Sequence, residues 1–394
     1  MTSPAAEPAT EPASEQATEQ AGLPEHAPDP AYLARPPART LPIVLVGAGG
    51  IARDAHLPAY RKARMPVAAV VDLDAGRAAS LATDFDIPAT YERLEDAVAA
   101  HGTDVVYDVA VMPNAFGAIL DSLPDGAAVQ LQKPLGYTYA EATALVEICD
   151  RKRLRAAVNT QLRFAPHVAA ARRLIADGAI GELIDLEVLV RVETPWELFP
   201  SVFALERMEM PMHSVHYVDL VRSFVGDPSG VSAVTVAHPH KELASTRTGY
   251  LLHYAERPLR VTISTNHDHA FGPAHQEAAV LWHGTEGAIR TELGLLLDYP
   301  RGGPDLLEIT DGEGWREIEV EGSWFPDAFI GSMGALQRYA TGESETMPTS
   351  VRDVLRTMAV LEAAHEATLA GGHPLPGPPL CPPLDPPLGP PRAE

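Results

Sequence analysis

A glycine-rich turn is the segment of this sequence whose residue types and spacing point most directly to chemistry. The apolar run Ile43–Val46 leads into Gly47-Ala48-Gly49-Gly50-Ile51-Ala52, and a helix-compatible segment follows. This order is typical of a buried parallel strand that turns into a phosphate-binding helix. Gly47 permits the tight turn, Gly49 lets the backbone approach a pyrophosphate, and Ala52 lets the helix pack closely on the strand. The free N–H groups at the helix start, from Gly50 and Ile51 onward, then face the anion.

A second apolar run, Val67–Val71, ends in an acidic residue, Asp72. At this position a carboxylate accepts hydrogen bonds from the ribose of an adenosine, so the two runs together predict a dinucleotide site. The same carboxylate would lie against the 2′-phosphate of NADP, and the like-charge contact favours NAD. Arg77, about one helical turn further on, would soften that preference.

Two imidazoles stand three residues apart. His213 and His216 fall on a predicted helix, where this spacing makes them neighbours on one face and candidates for acid/base chemistry. For His213, a core histidine satisfied by the backbone is the alternative interpretation. His267-Asp268-His269 and His275 add imidazoles that could complete a zinc site, but no metal-ligand spacing connects them to the helix pair and there is no cysteine cluster. We therefore predict no metal.

The elements that must position these residues fall into two groups. In the first group, apolar runs at 43–46, 67–71, 105–111, 128–131 and 156–158 alternate with helical patterns at 50–64, 75–85, 93–100, 115–123 and 139–153. Such alternation, with right-handed crossovers, predicts a doubly wound parallel sheet covered by helices on both faces.

After Ala165 the pattern changes from alternation to consecutive strands. A helix at 166–177 precedes strand-like segments at 183–192, 231–237, 250–254, 259–265, 278–282, 289–292, 306–310 and 317–320, with a helix at 211–225 among them and helices at 326–341 and 350–370 at the end. This pattern predicts an α+β domain on a largely antiparallel sheet. We expect domains at 41–160 and 161–372, flanked by disordered tails at 1–40 and 373–394 that lack an apolar face and are rich in proline.

Composition limits the classes of partner and compartment. The chain has 53 acidic against 30 basic residues and a net charge of −23, which disfavours nucleic acid and anionic membranes. No apolar run approaches the roughly 20 residues of a membrane span, and the N-terminus does not read as a secretory signal. Two cysteines suggest no disulfide framework, so a cytoplasmic enzyme is expected.

A series of motifs occurs in a fixed order along the chain. Besides the glycine turn and Asp72, they are His56-Leu57-Pro58-Ala59, Met112-Pro113-Asn114, Gln132-Lys133-Pro134-Leu135-Gly136, Asn159-Thr160-Gln161-Leu162-Arg163-Phe164-Ala165-Pro166, Gly178-Ala179-Ile180-Gly181-Glu182, His216-Tyr217-Val218-Asp219-Leu220 and Gly284-Thr285-Glu286-Gly287-Ala288. In this order they resemble the Gfo/Idh/MocA family, the glucose-fructose oxidoreductase, inositol dehydrogenase and MocA group. The resemblance covers roughly Pro42 to Gly371.

The resemblance implies an N-terminal Rossmann domain and a C-terminal domain on a large open sheet that often forms a dimer interface. Sugars, cyclitols or their glycosides are the usual substrates, and NAD(P) is the usual cofactor. A homodimer or homotetramer is expected. Met112, Pro113, Asn114 and Gln132 are expected to contact the cofactor.

The resemblance also assigns the reacting residues. Lys133 matches the lysine of a Glu-Lys-Pro motif, where it would contact the cofactor and the substrate and bind or protonate the alkoxide-like oxygen. Gln132 replaces the acid of that motif, which leaves Lys133 either a better base or less firmly positioned. Met212 replaces an aspartate that pairs with the histidine matching His216. Our hypothesis is that His213 and His216 share the acid/base role with Lys133 and contact the substrate.

Polar residues follow the fifth strand, at the edge of the sheet where ligands bind. Gln161 and Arg163 are predicted to contact cofactor amide or sugar hydroxyls, and Arg163 is equally suited to an ion pair between the domains. Trp196 and Trp324 suit stacking on a sugar face, with plain packing as the alternative.

Three functions fit these residues. The leading one is an NAD(P)-dependent dehydrogenase or reductase acting on a carbohydrate-like secondary alcohol. The second is a redox-neutral lyase or glycosidase that retains NAD and works through a 3-keto intermediate. The third is a non-catalytic dinucleotide-binding sensor, which the retention of Lys133 and His216 argues against.

Overall fold

The first sheet has six parallel strands in the order β3-β2-β1-β4-β5-β6. A computed structural model describes residues 36–299 and 301–372 of the chain. The strands are β1 (Ile43–Val46), β2 (Val67–Val71), β3 (Thr90–Tyr91), β4 (Val106–Val109), β5 (Ala128–Gln132) and β6 (Arg155–Asn159). Because β2 and β4 lie on opposite sides of β1, the order in which strands are added to the sheet reverses at β1. This reversal leaves a crevice at the carboxyl ends of the strands. The predicted doubly wound parallel sheet is confirmed.

Five helices cover the two faces of this sheet. They are α1 (Leu57–Lys62), which follows a π-helical segment at Ala52–His56, α2 (Ala75–Phe85), α3 (Leu94–His101), α4 (Phe116–Ser122) and α5 (Tyr139–Arg151). Side-chain caps fix two of the helix starts. Asp74 accepts a hydrogen bond from the Arg77 N–H at α2, and Thr138 accepts one from the Glu141 N–H at α5.

The second sheet has eight strands in the order β14-β13-β12-β11-β7-β10-β9-β8. Its strands are β7 (Leu183–Arg191), β8 (Gly230–Val236), β9 (Arg247–His253), β10 (Arg260–Asn266), β11 (Glu277–Gly284), β12 (Ala288–Glu292), β13 (Leu306–Thr310) and β14 (Arg316–Glu317). Only β7 and β10 pair in parallel, so the expected mostly antiparallel sheet is confirmed. The strands β3 and β14 have two residues each, which is too short for periodicity to locate. The sequence analysis contains no strand at β3, and its strand at 317–320 begins one residue later than β14 and is two residues longer.

Within residues 161–299 and 301–372, four further helices follow: α6 (Pro166–Ala176), α7 (Val215–Val225) after a π-helical segment at Met210–Ser214, α8 (Asp327–Ala340) and α9 (Val351–Ala370). Phe329, Met333 and Leu336 of α8 share a buried cluster with Ile43 and Leu45 of β1. A boundary at residue 160 separates the strands of the two sheets, but it does not separate the helices. Helix α8, from the C-terminal part of the chain, packs on the first sheet. The sequence shows the apolar face of α8 but not which sheet it covers.

The described fold begins a few residues before the predicted start at Leu41. The N–H groups of Ala38 and Arg39 donate to the Glu343 carboxylate at 2.9 and 3.0 Å. The rest of the two predicted tails, 1–35 and 373–394, lies outside the described residues. Within the described part of the chain, no helix has both the length and the apolar composition needed to cross a membrane.

A buried ion-pair network ties the turn that follows β6 to α7 and α9 at Arg163. Its Nε donates to Asp219 of α7 at 2.7 Å, its Nη2 donates to both Asp219 and Asp353 of α9, and its Nη1 donates to the Pro348 carbonyl at 2.8 Å. The side chains of Arg163 and Asp219 are 8% and 1% exposed. The guanidinium is therefore engaged in a buried ion pair, which fits the ion-pair interpretation of Arg163, except that all its partners lie beyond residue 160 and not across the two domains. Its predicted contact with cofactor or substrate stays a prediction.

We predict that Arg163→Met destabilises the protein by about 3–5 kcal/mol, because the substitution leaves the buried Asp219 carboxylate without its cation. The matched control is Arg173→Met, which removes a pair with Asp177 whose side chains are 55% and 46% exposed. That change should cost at most about 1 kcal/mol. Denaturant unfolding of both variants measures the difference, and equal losses would contradict the role given to Arg163.

Candidate active site

The turn after β1 has the shape of an anion cradle. Gly47 has a φ of +107°, and a Cβ on it would lie 2.7 Å from Val111 Cγ1 and 2.8 Å from the Ala110 oxygen, so only glycine fits. A Cβ on Gly49 would meet no described atom within 4 Å. The turn therefore packs tightly on its strand side and is open on the side where a pyrophosphate would approach the helix start.

Asp72 lies at the end of β2 with both carboxylate oxygens fixed. One oxygen accepts the Ala48 N–H at 2.8 Å, and the other accepts the Asp74 N–H and Arg77 Nη2, each at 2.8 Å. Partial burial acts to raise the pKa of Asp72, but these hydrogen bonds outweigh it and lower the pKa. The carboxylate is ionised at neutral pH and suited to accept ribose hydroxyls. Together with the open turn, it fits an adenine dinucleotide.

The remaining residues expected at the cofactor follow β4 and β5. Met112 lines a cavity between the cradle and the second domain, which is described below. Pro113 is buried in a 3-10 turn, and Asn114 is exposed at the same turn. Gln132 ends β5 and accepts the Lys133 backbone N–H on its side-chain oxygen at 3.1 Å. These positions adjoin the cradle at the carboxyl ends of neighbouring strands.

A cavity of about 240 Å³ lies between the cradle and the second domain. Its walls come from both domains, as expected for a site at the switch point of a doubly wound sheet. The lining residues are Ile51, Met112, Gln132, Lys133, Gln161, Val192, Thr194, Trp196, Phe199, Val202, Met212, His213, His216, Tyr217, Leu295, Leu296, Tyr299, Trp324 and Phe325.

Lys133 extends from the end of β5 into this cavity. Its Nζ donates to the backbone carbonyl of Met212 at 2.9 Å, so the side chain is held across the domain boundary. Burial lowers the pKa of Lys133 to about 8. With Gln132 rather than an acid beside it, the lysine has both a defined position and a pKa close to neutrality.

His213 and His216 reach the same cavity, His213 from the π-helical segment and His216 from the first turn of α7. Burial lowers the pKa of both imidazoles well below the usual 6.5, and the charge of Lys133 lowers each further. Both rings are therefore neutral at pH 7. The Nδ1 of His216 is buried and makes no hydrogen bond with any protein atom of the described residues.

Met212 contributes its backbone and its side chain to different neighbours. Its carbonyl accepts the Lys133 hydrogen bond, whereas its side chain packs against a small apolar cluster that contains Trp196 and Val202. No titratable group therefore stands at this position, in agreement with the sequence.

The other histidines do not assemble with this pair into a metal site. His267 is buried with its ring centroid 4.4 Å from that of His213, and its Nε2 is 3.5 Å from Glu209 Oε1. His269 pairs through Nε2 with the Ala274 carbonyl at 2.8 Å, and His275 is exposed. Among residues 36–299 and 301–372, no three His, Cys, Asp or Glu side chains are placed to hold a metal ion.

The structure brings together most of the residues singled out from the sequence, including Trp196 and Trp324. Sequence reasoning missed several residues of the second domain that line the cavity. Tyr217 follows His216 directly, so proximity could have revealed it. Thr194 and Tyr299 lie outside regular helices and strands, and Leu295 and Leu296 lie in a 3-10 turn at Gly294–Leu296. Such irregular or very short segments carry no periodic signal.

Comparison with known proteins agrees with this geometry. Residues 41–160 match the family described as "Oxidoreductase family, NAD-binding Rossmann fold", and residues 168–290 match "GFO/IDH/MocA C-terminal domain". The chain is 26% identical over 350 residues to D-apiose dehydrogenase of Paraburkholderia graminis. The aligned residues are 83% of this chain and 87% of that protein.

Two further proteins are similar to this chain. Inositol 2-dehydrogenase of Corynebacterium glutamicum is 28% identical over 209 residues, which are 51% of this chain and 58% of that protein. The crystal structure of an oxidoreductase from Agrobacterium radiobacter, in complex with NAD+, L-tartaric acid and magnesium, has the same fold, with a TM-score of 0.70, 21% identity and coverage of 85% of this chain and 98% of that one. The chain belongs to the Gfo/Idh/MocA family of NAD-binding oxidoreductases.

Proposed function

We propose that this protein is an NAD-dependent dehydrogenase that oxidises a ring secondary alcohol of the sugar or cyclitol type, and reduces the matching ketone in reverse. One observation carries the proposal: a half-buried lysine with a pKa of about 8 and two neutral imidazoles share one cavity beside a dinucleotide cradle. The activities named for the relatives, D-apiose and inositol dehydrogenase, support this substrate class.

The residues that would hold the cofactor are the glycine turn, Asp72 and the segment Met112–Asn114. When bound, NAD supplies the acceptor for the hydride that leaves the carbinol carbon. The protein must then remove the hydroxyl proton and stabilise the oxygen that becomes negative. Excluding water is the task of the apolar cavity walls.

Lys133 is suited to the proton transfer because its pKa is close to physiological pH. In the neutral form its Nζ accepts the alcohol proton, and in the charged form it returns the proton to a ketone oxygen. His216 and His213 remain neutral beside it and can donate or accept a hydrogen bond at the same oxygen.

We predict that kcat/KM for alcohol oxidation rises with pH and levels off above about 8, because the base form of Lys133 appears as pH passes its lowered pKa. Reduction of the ketone, which needs the charged form, should fall over the same range. NADH absorbance with a panel of sugars and cyclitols measures both directions. Product formed without net NADH would instead support the redox-neutral lyase or glycosidase.

Variants separate this role from a structural one. Lys133→Met and His216→Ala should each lower turnover by about 10²–10⁴-fold, while NADH affinity changes less than about threefold. Lys62→Met, at a lysine paired on the surface with Asp327, is the matched control and should keep full activity. Near-normal turnover in both cavity variants would contradict the proposal and favour a non-catalytic sensor.

We predict a preference for NAD over NADP that depends on Asp72. The carboxylate would repel a 2′-phosphate, and Arg77, which bonds it at 2.8 Å, reduces that repulsion only in part. Asp72→Ala should therefore narrow the ratio of kcat/KM values for the two cofactors, whereas Arg77→Ala should widen it. Native enzyme that uses NADP as well as NAD would overturn the assignment.

We further propose that copies of this chain associate through the outer face of the second sheet. Val234, Val236 and Leu251 lie on one face of β8 and β9 and are 57%, 43% and 40% exposed. Light scattering should give a multiple of the 42.1 kDa chain mass, and Val234→Glu with Leu251→Glu should reduce it. A native mass of one chain would refute the association.

A further inference from the structure

A buried carboxylate lies behind the histidine side of the cavity, and no step of the proposed reaction uses it. Glu209 directly precedes the π-helical segment at Met210–Ser214 and is fully buried. Both of its oxygens accept the Ser214 hydroxyl at 2.9 Å, and Oε2 also accepts the Thr248 hydroxyl. Among residues 36–299 and 301–372, only His267 lies within ion-pair distance of this carboxylate, with 3.5 Å between its Nε2 and Oε1. The imidazole of His267 is therefore the partner of the buried acid.

The carboxylate influences which ring nitrogen of His267 carries hydrogen. Its Nε2 lies toward Glu209 and has no other hydrogen-bond partner in the described part of the chain. An ionised carboxylate only accepts hydrogen bonds, so it attracts an N–H and repels the lone pair of a bare ring nitrogen. The ring is also fixed in place, since its centroid is 4.4 Å from that of His213 and 5.4 Å from that of Trp196. This arrangement favours hydrogen on Nε2 and leaves Nδ1 as an acceptor.

Thr194 lies at the other ring nitrogen. Its hydroxyl oxygen is 2.9 Å from His267 Nδ1, and its backbone N–H donates to the His267 carbonyl at 3.2 Å. This pairing continues the parallel register of β7 and β10, in which the Val192 N–H donates to the Asn266 carbonyl at 2.9 Å. With Nδ1 as the acceptor, the Thr194 hydroxyl gives its hydrogen to the ring. Its oxygen then keeps lone pairs and has no hydrogen to donate elsewhere.

Thr194 is half-buried and lines the cavity. Among the described lining residues there is no carboxylate, so side-chain acceptors for a substrate hydroxyl are few. The Gln132 side-chain oxygen already accepts the next backbone N–H at 3.1 Å, and Gln161 Oε1 is buried away from solvent. The hydroxyls of Tyr217 and Tyr299 can donate as well as accept. Thr194 therefore supplies the cavity with an acceptor whose direction is fixed from behind.

We propose that Thr194 is a further substrate-binding residue that accepts a hydrogen bond from a substrate hydroxyl. Glu209 and His267 are positioning residues, which keep the Thr194 oxygen in its acceptor state. This inference rests on the proposed function for its hydroxylated substrate, but it does not depend on hydride transfer. Glu209, three residues before Met212, then supports the imidazole behind Thr194 and not that of His216.

Binding of two hydroxylated ring compounds tests the contact. Myo-inositol and methyl β-D-glucopyranoside are titrated by calorimetry into the NADH-loaded enzyme. Thr194→Val removes the hydroxyl at nearly constant volume, so it should weaken the binding of each compound that the native enzyme binds by at least about tenfold, because the substrate hydroxyl loses its acceptor. Thr194→Ser keeps the hydroxyl and should stay within about threefold of the native affinity. Equal binding by the native enzyme and Thr194→Val, or no native binding of either compound, would overturn the inference.

Thr143→Val is the matched control. It makes the same exchange at a half-buried threonine of α5, whose hydroxyl donates to the Tyr139 carbonyl at 2.8 Å and which does not line the cavity. This variant should bind both compounds as the native enzyme does. A loss as large as that of Thr194→Val would show that the effect is not local to the cavity and would refute the assignment.

Substitutions at His267 separate positioning from packing. His267→Asn keeps an acceptor oxygen close to the place of Nδ1 and should bind the compounds within about threefold of native, whereas His267→Ala removes the acceptor and should weaken binding severalfold. Adding Thr194→Val to His267→Ala should then cause little further loss, because the two residues act as one unit. Fully additive losses, or equal losses in His267→Asn and His267→Ala, would contradict the positioning role.

Nitrogen NMR of histidine-labelled protein reports the tautomer without any substrate. The signals that disappear in His267→Asn belong to His267. At the pH of the binding experiments, we expect hydrogen on Nε2 and a bare Nδ1. Hydrogen on Nδ1, alone or together with Nε2, would make the Thr194 hydroxyl a donor toward the cavity and would refute the inference.

Binding and turnover distinguish this inference from the proposed function. Binding that depends on the Thr194 hydroxyl, with no hydride transfer from any alcohol, would retain the inference and refute the dehydrogenase. Hydride transfer with a KM that Thr194→Val leaves unchanged would retain the dehydrogenase and refute the inference.

Discussion

The ion pair between Arg163 and Asp219 is the interaction on which the rest of the site depends. Arg163 lies in the 3-10 turn that follows β6, and Asp219 lies on α7 three residues after His216. Removing both charges from water is costly, and the bidentate contact, with Asp353 and the Pro348 carbonyl, offsets that cost only when the turn after β6, α7 and α9 keep one arrangement. The histidine helix is thereby held against the edge of the sheet that carries Lys133.

Within this arrangement, the protonation states of Lys133, His213 and His216 follow from their burial and from the charges that line the cavity. The cavity gathers Lys133 and two imidazoles without a lining carboxylate. Burial favours the neutral form of all three, and the charge of Lys133 adds to this effect at both imidazoles. The buried acid Glu209 accepts hydrogen bonds from the hydroxyls of Ser214 and Thr248, and its Oε1 lies 3.5 Å from His267 Nε2. Because the lysine has the highest ordinary pKa of the three, it is the group left titrating near neutral pH.

The sequence was sufficient to predict the two sheets, the cradle and the catalytic candidates, because buried parallel strands are continuous apolar runs and the motifs lie at their ends. It was not sufficient for partners far apart in the chain. The bond between Arg163 and Asp353 spans 190 positions. Leu295 reaches the cavity from a 3-10 turn, and Tyr299 reaches it from the irregular backbone that follows. The π-helical segments were also missed, since one widened turn leaves the apolar pattern of a helix almost unchanged.

The π-helical segment that precedes α7 holds Lys133 through a backbone oxygen and not through a side chain. Its hydrogen bonds span five residues, as from the Val215 N–H to the Met210 oxygen, and the Met212 carbonyl accepts the lysine. A main-chain oxygen is present whatever amino acid occupies position 212. Substitution of that side chain therefore leaves in place the oxygen that holds the lysine, so position 212 can vary without removing the hydrogen bond to Lys133.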